Sequence, residues 1–470
     1  TEKELSEYLN SAEGKVFSRV VLMKDISNLV DVYADQGYAF ADINPSTRID
    51  EENQKVNLTL NIEKGEKVFV EKINITGNTR TRDKVIRREI ELAEGDLFSS
   101  TKLKRSKRNL NRLGFFDVLD IATVRGSAPD KIVFDVRVEE RPTGSFAVGA
   151  GYSSVDNFIA TVSITQNNLF GTGRRLKADV TTSSSSQRYN ISFTEPWFLD
   201  KPISAGFDLF RIDKEYTDFT KFSNGGDIRF GFPVRQDTRL FLTYKLEQVE
   251  IKDVAVSAAD FIQKQTGERL ESSVAALLKR DSRNSFLEPT EGSVENVSVE
   301  VAGSFLGGDV NFAKYFVDVG KYFPAPLKTT FLLRGRAGYV HSLSDDPVPI
   351  FEKFFLGGLN TIRGFKSRSI GPKATDTDDV IGGDLEVIGN VEFIFPLVPK
   401  QRVKGLVFLD TGNAYDTVGD FDFSELRTGV GVGIRWLSPM GLLRLEWGFN
   451  VDPKDDEESS QFEFSIGGSF

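Results

Sequence analysis

From Thr143 onward, apolar and polar residues alternate with a period of two, the pattern of strands whose two faces meet unlike surroundings. At 441–450, Leu443, Leu445, Trp447 and Phe449 are apolar, and Arg444, Glu446, Gly448 and Asn450 between them are polar or small. At 385–395, Leu385, Val387, Val391, Phe393 and Phe395 oppose Glu386, Asn390 and Glu392. At 428–436, Val430, Val432, Ile434 and Trp436 oppose Gly429, Gly431, Gly433 and Arg435. Sixteen such segments start near 145, 157, 175, 187, 203, 226, 239, 273, 293, 309, 329, 385, 403, 428, 441 and 461. Connections are short at Asn167–Gly173, Pro233–Thr238, Pro324–Lys328, Pro396–Arg402 and Ser438–Gly441, and long at 251–272 and 342–384. An even number of alternating strands with short turns and long loops predicts an all-β antiparallel transmembrane barrel, apolar outside and polar inside. Closure lets strands cross lipid with every backbone group paired. Trp197, Trp436 and Trp447 suit its interfacial girdles.

The first 142 residues carry an internal repeat instead. Ala12-Glu13-Gly14-Lys15-Val16-Phe17-Ser18 aligns with Ala93-Glu94-Gly95-Asp96-Leu97-Phe98-Ser99. Each copy continues into a helical pattern, through Leu22, Ile26, Leu29 and Tyr33 in the first and Leu103, Leu110 and Leu113 in the second. Each helix stops at a glycine, Gly37 or Gly114, the residue that takes a left-handed conformation at least cost. Alternating strands follow at Val56–Ile62 and Ile132–Val138, and the second copy also opens with a strand through Val70, Ile73 and Ile75. The first copy lacks that opening strand, so the chain is expected to begin inside a repeat, with further copies upstream. The domains read as a partial α+β unit at 1–66, a complete membrane-proximal unit at 67–142, and the barrel at 143–470 with its long loop 342–384. Lys102, Lys104, Arg105, Lys107, Arg108 and Arg112 read as the solvated face of the second helix.

Composition then removes most chemistry. The chain has no Cys and one His, His341, which excludes disulfides, thiol catalysis, Cys-based metal sites and a His-rich metal site. No phosphate loop is present, so neither enzymatic activity nor a cofactor is expected. A formal charge of -10 argues against nucleic acid as a partner. No apolar run exceeds Val274–Leu278, too short for a membrane-spanning helix.

The repeat, with the order strand, helix, helix, strand, strand, resembles the POTRA domain, and Asn111-Arg112-Leu113-Gly114-Phe115-Phe116 is similar to its most typical stretch. With Gly357-Gly358-Leu359-Asn360-Thr361-Ile362-Arg363-Gly364-Phe365 in the longest loop, the whole chain resembles the BamA family of outer-membrane assembly factors. Asn168-Leu169-Phe170-Gly171-Thr172-Gly173 and Thr194-Glu195-Pro196-Trp197-Phe198 are further matches. Ile362-Arg363-Gly364-Phe365 is similar to the family's loop tetrapeptide, with Ile where Val is commoner. The resemblance implies that Arg363 folds into the lumen and pairs with Glu392 and Asp410, which alternation independently places on the lumen face. Inward glycines 429, 431 and 433 would leave room for that loop.

It further implies assembly and insertion of β-barrel proteins in the bacterial outer membrane, with POTRA units in the periplasm. The implied partners are unfolded outer-membrane protein clients, assembly-complex lipoproteins and the lipid bilayer. A lateral gate is expected between the first strand, Ser145–Tyr152, and the last, Gln461–Phe470. Its candidate residues are Ser145, Gly149, Gly151, Phe464, Gly467, Gly468 and Phe470. Glu89, in Arg87-Arg88-Glu89, resembles a lipoprotein contact. The alternative is a two-partner secretion translocase, which shares the POTRA units and sixteen strands but exports a client through its pore. A passive porin lacks the repeats.

Overall fold

The computed structural model describes residues 2–438 and 441–466. They form two compact units, one of residues 1–144 with 166–174, the other of 145–165 with 175–470.

In the first unit both repeat helices start where a serine can cap them. Ser18 Oγ accepts from the Val21 amide ahead of Arg19–Asp35, and Ser99 Oγ from the Lys102 amide ahead of Ser100–Leu113. Gly114 ends the second helix in the left-handed region at φ 67°. The second repeat builds a three-stranded sheet with Lys131–Glu140 in the middle, parallel to Phe69–Thr76 and antiparallel to Phe116–Arg125. Ile132, Phe134, Val136 and Val138 alternate along the central strand and are fully buried against Val70, Ile73, Ile86 and Leu110. The first repeat pairs only Asp42–Asp50 with Lys55–Glu63.

Two carboxylates staple the loops of this unit. Glu140 accepts from the Arg80 amide at 2.8 Å, the Thr81 amide at 2.5 Å and Thr79 Oγ1 at 2.8 Å. Burial alone would raise its pKa, but these hydrogen bonds outweigh it and hold the group at about 2. Asp25, likewise raised by burial, is brought to about 2 by hydrogen bonds from Ser11 and Asn10. The 166–174 turn packs here as well, with Arg82 N–H on the Gly171 carbonyl and Asn168 Nδ2 on Thr81 Oγ1. A Cβ on Gly171 would lie 1.9 Å from the Arg80 carbonyl oxygen, so this turn needs glycine.

The second unit is a closed sixteen-stranded antiparallel barrel in chain order, from Gly144–Ser153 to Ser460–Ile466. Two strands begin earlier than alternation predicts, Thr220–Arg235 and Gly267–Asp281. Their first residues are mixed in polarity but fully laddered to both neighbours or one, so backbone pairing rather than amphipathicity sets these ends. The short–long rhythm is clear only after Lys252, because 154–156, 184–185 and 216–219, at the long-loop end, are short too.

The lumen is also less polar than the alternation rule implies. Leu406, Phe408 and Ile394 turn inward and form a buried apolar cluster. The segment between Thr329–Ser342 and Leu385–Val398 folds into the barrel. Val348, Phe354, Leu356, Ile362, Phe365 and Ile370 pack there against Phe312, Val340, Ile388 and Ala414 of the wall. Burying a side chain of this size contributes roughly 1.5–3 kcal/mol, so the segment is held as a core and not merely by its charges.

At the opposite, short-turn end the longest connection is 282–291. Asn284 Oδ1 accepts from the Thr290 and Glu291 amides, and Arg283 makes a bidentate pair with Asp281. Glu288 reaches Arg402 and Lys404, past the three strands that lie between Gly292–Ala302 and Val403–Tyr415. This segment is a strap over that mouth.

Candidate functional site

Neighbouring strands bring Asn390, Glu392, Asp410 and Glu446 to the lumen face, within reach of one side chain. Asn390 is opposite Asp410, Glu392 opposite Phe408, and Gly433 opposite Glu446 in the ladders. Among them the loop delivers Arg363, which is 3% exposed. Its Nε and Nη2 donate to the two oxygens of Asp410, both at 2.7 Å, and its backbone N–H adds a third bond at 3.0 Å. Nη1 donates to Glu392 and to Glu446, each at 2.7 Å. Arg435 bridges Glu392 and Glu446, and Arg444 donates to Glu446. Three guanidiniums thus face three carboxylates, a charge-balanced network in which every guanidinium nitrogen of Arg363 and Arg435 donates to a carboxylate. Such closure is what makes buried charge tolerable. The Arg363 guanidinium also lies 3.6 Å from the centre of the Phe408 ring, so the inward aromatic has a partner.

Backbone space completes the fit. A Cβ on Gly429 would stand 1.9 Å from the Arg363 carbonyl oxygen, and one on Gly448 2.3 Å from the Gly364 nitrogen. Gly364 itself has φ 94° and lies against the Phe449 backbone. Gly431 and Gly433 are crowded by Phe408 and Glu446 side chains, not by the loop. Ile362 and Phe365, flanking Arg363 and Gly364, are buried in the apolar plug. Asn390 donates both to Asp410 and to the Thr361 carbonyl.

The structure therefore brings together Ile362, Arg363, Gly364, Phe365, Glu392 and Asp410. Sequence reading missed Glu446, Arg435 and Arg444 as members of the same network. Their polar-face parity was visible, but which polar residues share a level depends on strand register.

The closure of the barrel carries the other candidates. Ser465 pairs with Ser153 and Ile466 with Tyr152, and Ser154 N–H donates to the Phe464 carbonyl at 3.0 Å. Phe464 and Tyr152 stack with ring centres 5.3 Å apart. From Gly144 to Ala150 every residue is exposed, Ser145 and Gly149 included, and Phe146 and Val148 on the outer face each reach 68%. Gly151 is partly buried. Gly467, Gly468 and Phe470 lie outside the described residues. Glu89 follows the short helix Asp83–Arg87 instead of lying within it, and its side chain is 15% exposed, 4.0 Å from Arg88.

The Omp85 superfamily domain model matches residues 168–470, and the POTRA model, a surface antigen variable number repeat, matches 1–65 and 68–141. The outer membrane protein assembly factor BamA of Nitratidesulfovibrio vulgaris is 35% identical over 97% of this chain and 58% of its own length. That of Neorickettsia risticii is 33% identical over 94% of this chain and 60% of its own. The chain thus spans about three-fifths of the curated relatives it matches. The crystal structure of BamA from Haemophilus ducreyi lacking POTRA domains 1–3 shares the fold, with a TM-score of 0.80 at 23% identity, covering 99% of this chain and 96% of that one. CdiB from Acinetobacter baumannii has a TM-score of 0.56 at 14% identity, covering 99% of this chain and 87% of that one. With a barrel of sixteen strands, its lumen occupied by an arginine-bearing loop, and POTRA repeats before it, the chain belongs to the Omp85 superfamily and, within it, to the BamA family.

Proposed function

We propose that this chain folds β-barrel clients and inserts them into the outer membrane, through a lateral gate between Gly144–Ser153 and Ser460–Ile466. The observation that carries the reading is the contrast between a filled lumen and a bare closing strand. A client taking the central route would have to expel the Arg363 network and its apolar plug. At the closure, by contrast, the first strand is exposed on both faces over most of its length. Parting of the two strands frees N–H and C=O groups that an incoming strand can pair with, the mode of β-augmentation. The work is done by pairing and by local disturbance of the bilayer, with no covalent step. Unfolded outer-membrane proteins are then the clients, and the lipoproteins of an assembly complex the partners, Glu89 being a contact for one of them. Localisation is the outer membrane, with the POTRA units on the periplasmic side.

Ser153 and Ser465 are Cα partners in the ladder, and the chain has no native cysteine. A Ser153→Cys, Ser465→Cys pair can therefore be locked by oxidation in liposomes and tested with an unfolded barrel client. The expected result is fast client insertion when reduced, arrest when oxidised, and recovery with reductant. Undiminished insertion by the locked barrel overturns the gate. Client folding no faster than in empty liposomes overturns the assembly role, and export into the liposome without insertion favours a secretion translocase.

A further inference from the structure

The tip of the inserted loop is held by a second contact, on the strand that closes the barrel. Glu463 lies in the last strand with its side chain turned into the lumen, 5% exposed. Its Oε1 accepts a hydrogen bond from the Leu359 amide at 3.0 Å. The other side of the same residue is gripped as well, since Arg444 Nη2 donates to the Leu359 carbonyl at 3.2 Å and Nη1 to Asn360 Oδ1 at 3.1 Å. Gly358 has φ 95°, and a Cβ there would touch both Ser367 and Glu463 Oε1, so the glycine lets the tip approach the strand. Only three residues lie between Leu359 and Arg363, and the two contacts therefore tie one short segment to different strands.

The electrostatics make this tie conditional. Glu463 stands directly opposite Glu446 in the ladder. Glu446 is neutralised by Arg363, Arg435 and Arg444. Among the described residues Glu463 has no ion pair. Like charges directly opposite each other on a strand pair are destabilising, and a buried carboxylate depends on the donors it keeps. While the loop is seated, the Leu359 amide serves Glu463 and Arg363 shields Glu446. Once the tip leaves, both carboxylates lose a donor together. The next residue along, Phe464, uses its carbonyl to accept from Ser154 across the closure.

We propose that Glu463 is the positioning residue through which the inserted loop holds the last strand, so that release of the loop tip and loosening of the closure are one coupled event. Its meaning for insertion rests on the lateral gate proposed above, but the coupling is measurable without any client. The full chain in lipid nanodiscs is compared with Glu463→Ala, which removes acceptor and charge, and Glu463→Gln, which keeps an acceptor and removes the charge. Amide hydrogen exchange is read on peptides covering 357–361 and 460–466. In the alanine variant both segments should exchange roughly ten- to hundredfold faster, the range expected for loss of a hydrogen bond to a charged group. In the glutamine variant the tip should remain protected and the last strand should exchange more slowly than in the parent, because the Glu446–Glu463 repulsion is gone. Exchange in both segments unchanged by alanine, or altered in the tip alone, overturns the coupling. Exchange altered as expected with unchanged client insertion leaves the coupling standing and counts against the gate.

Discussion

At the scale of single residues, the donors of Arg363 point in fixed directions that its three acceptors match. Asp410 takes two parallel bonds from the fork and Glu392 and Glu446 share the third nitrogen. Arg363→Ala leaves all three acids short of a donor, and removal of one partner of a buried pair typically costs about 3–5 kcal/mol. The variant should unfold at lower temperature in heat-modifiability gels and admit protease to the loop. Arg363→Lys should recover only part of the loss, since an ammonium is a point charge without the planar fork. Glu140 makes the complementary case outside the membrane. Its folded pKa of about 2 lies below the usual glutamate value of about 4.3, so the unfolded chain binds the proton first. The stabilisation is complete above that usual value and disappears as pH falls through about 2. Hydrogen exchange around Thr79–Thr81, corrected for intrinsic rate, should lose protection between pH 5 and pH 2, and Glu140→Gln should be weakly protected and flat over that range.

At the scale of elements, the strands were largely legible and the site only partly so. Alternation located all sixteen strands because each has one face on lipid, as Val391, Val407 and Leu409 do at about 40% exposure or more. Glu392 and Asp410 were readable by parity, and Arg363 through its motif. The rest of the network was not, because Glu446, 83 positions along the chain from Arg363, meets it only through strand register. Parity with Asp410 also turns Phe408 inward, but no local pattern tells that it meets a guanidinium there. Two glycines show how much the strand backbones matter. Gly429→Ala and Gly448→Ala remove no charge, yet each places a methyl group in the path of the loop. Each should expose the 343–384 segment to protease as strongly as Arg363→Ala does. An alanine variant as resistant as the parent would show that the loop does not need its close approach.

At the scale of the whole molecule, the protein is an outer-membrane barrel that keeps its interior occupied from both ends. The loop fills the lumen from one side, and the 282–291 strap lies over the other mouth, where Glu288 is fastened to Arg402 and Lys404. A sixteen-stranded barrel of this kind is otherwise wide enough for an aqueous channel. Its electrical behaviour should therefore be that of an insulator: in planar bilayers the parent should pass far less current than an open porin of equal strand number. Glu288→Lys turns the strap's ion pairs into repulsions, and it should produce frequent current steps while leaving the Arg363 network intact. Arg363→Ala should do so from the other side, and the two together should conduct more than either alone. A parent with steady porin-like current would mean that the strap and loop do not seal. By this account the outer membrane stays tight to ions around a barrel for which we propose an opening at its edge.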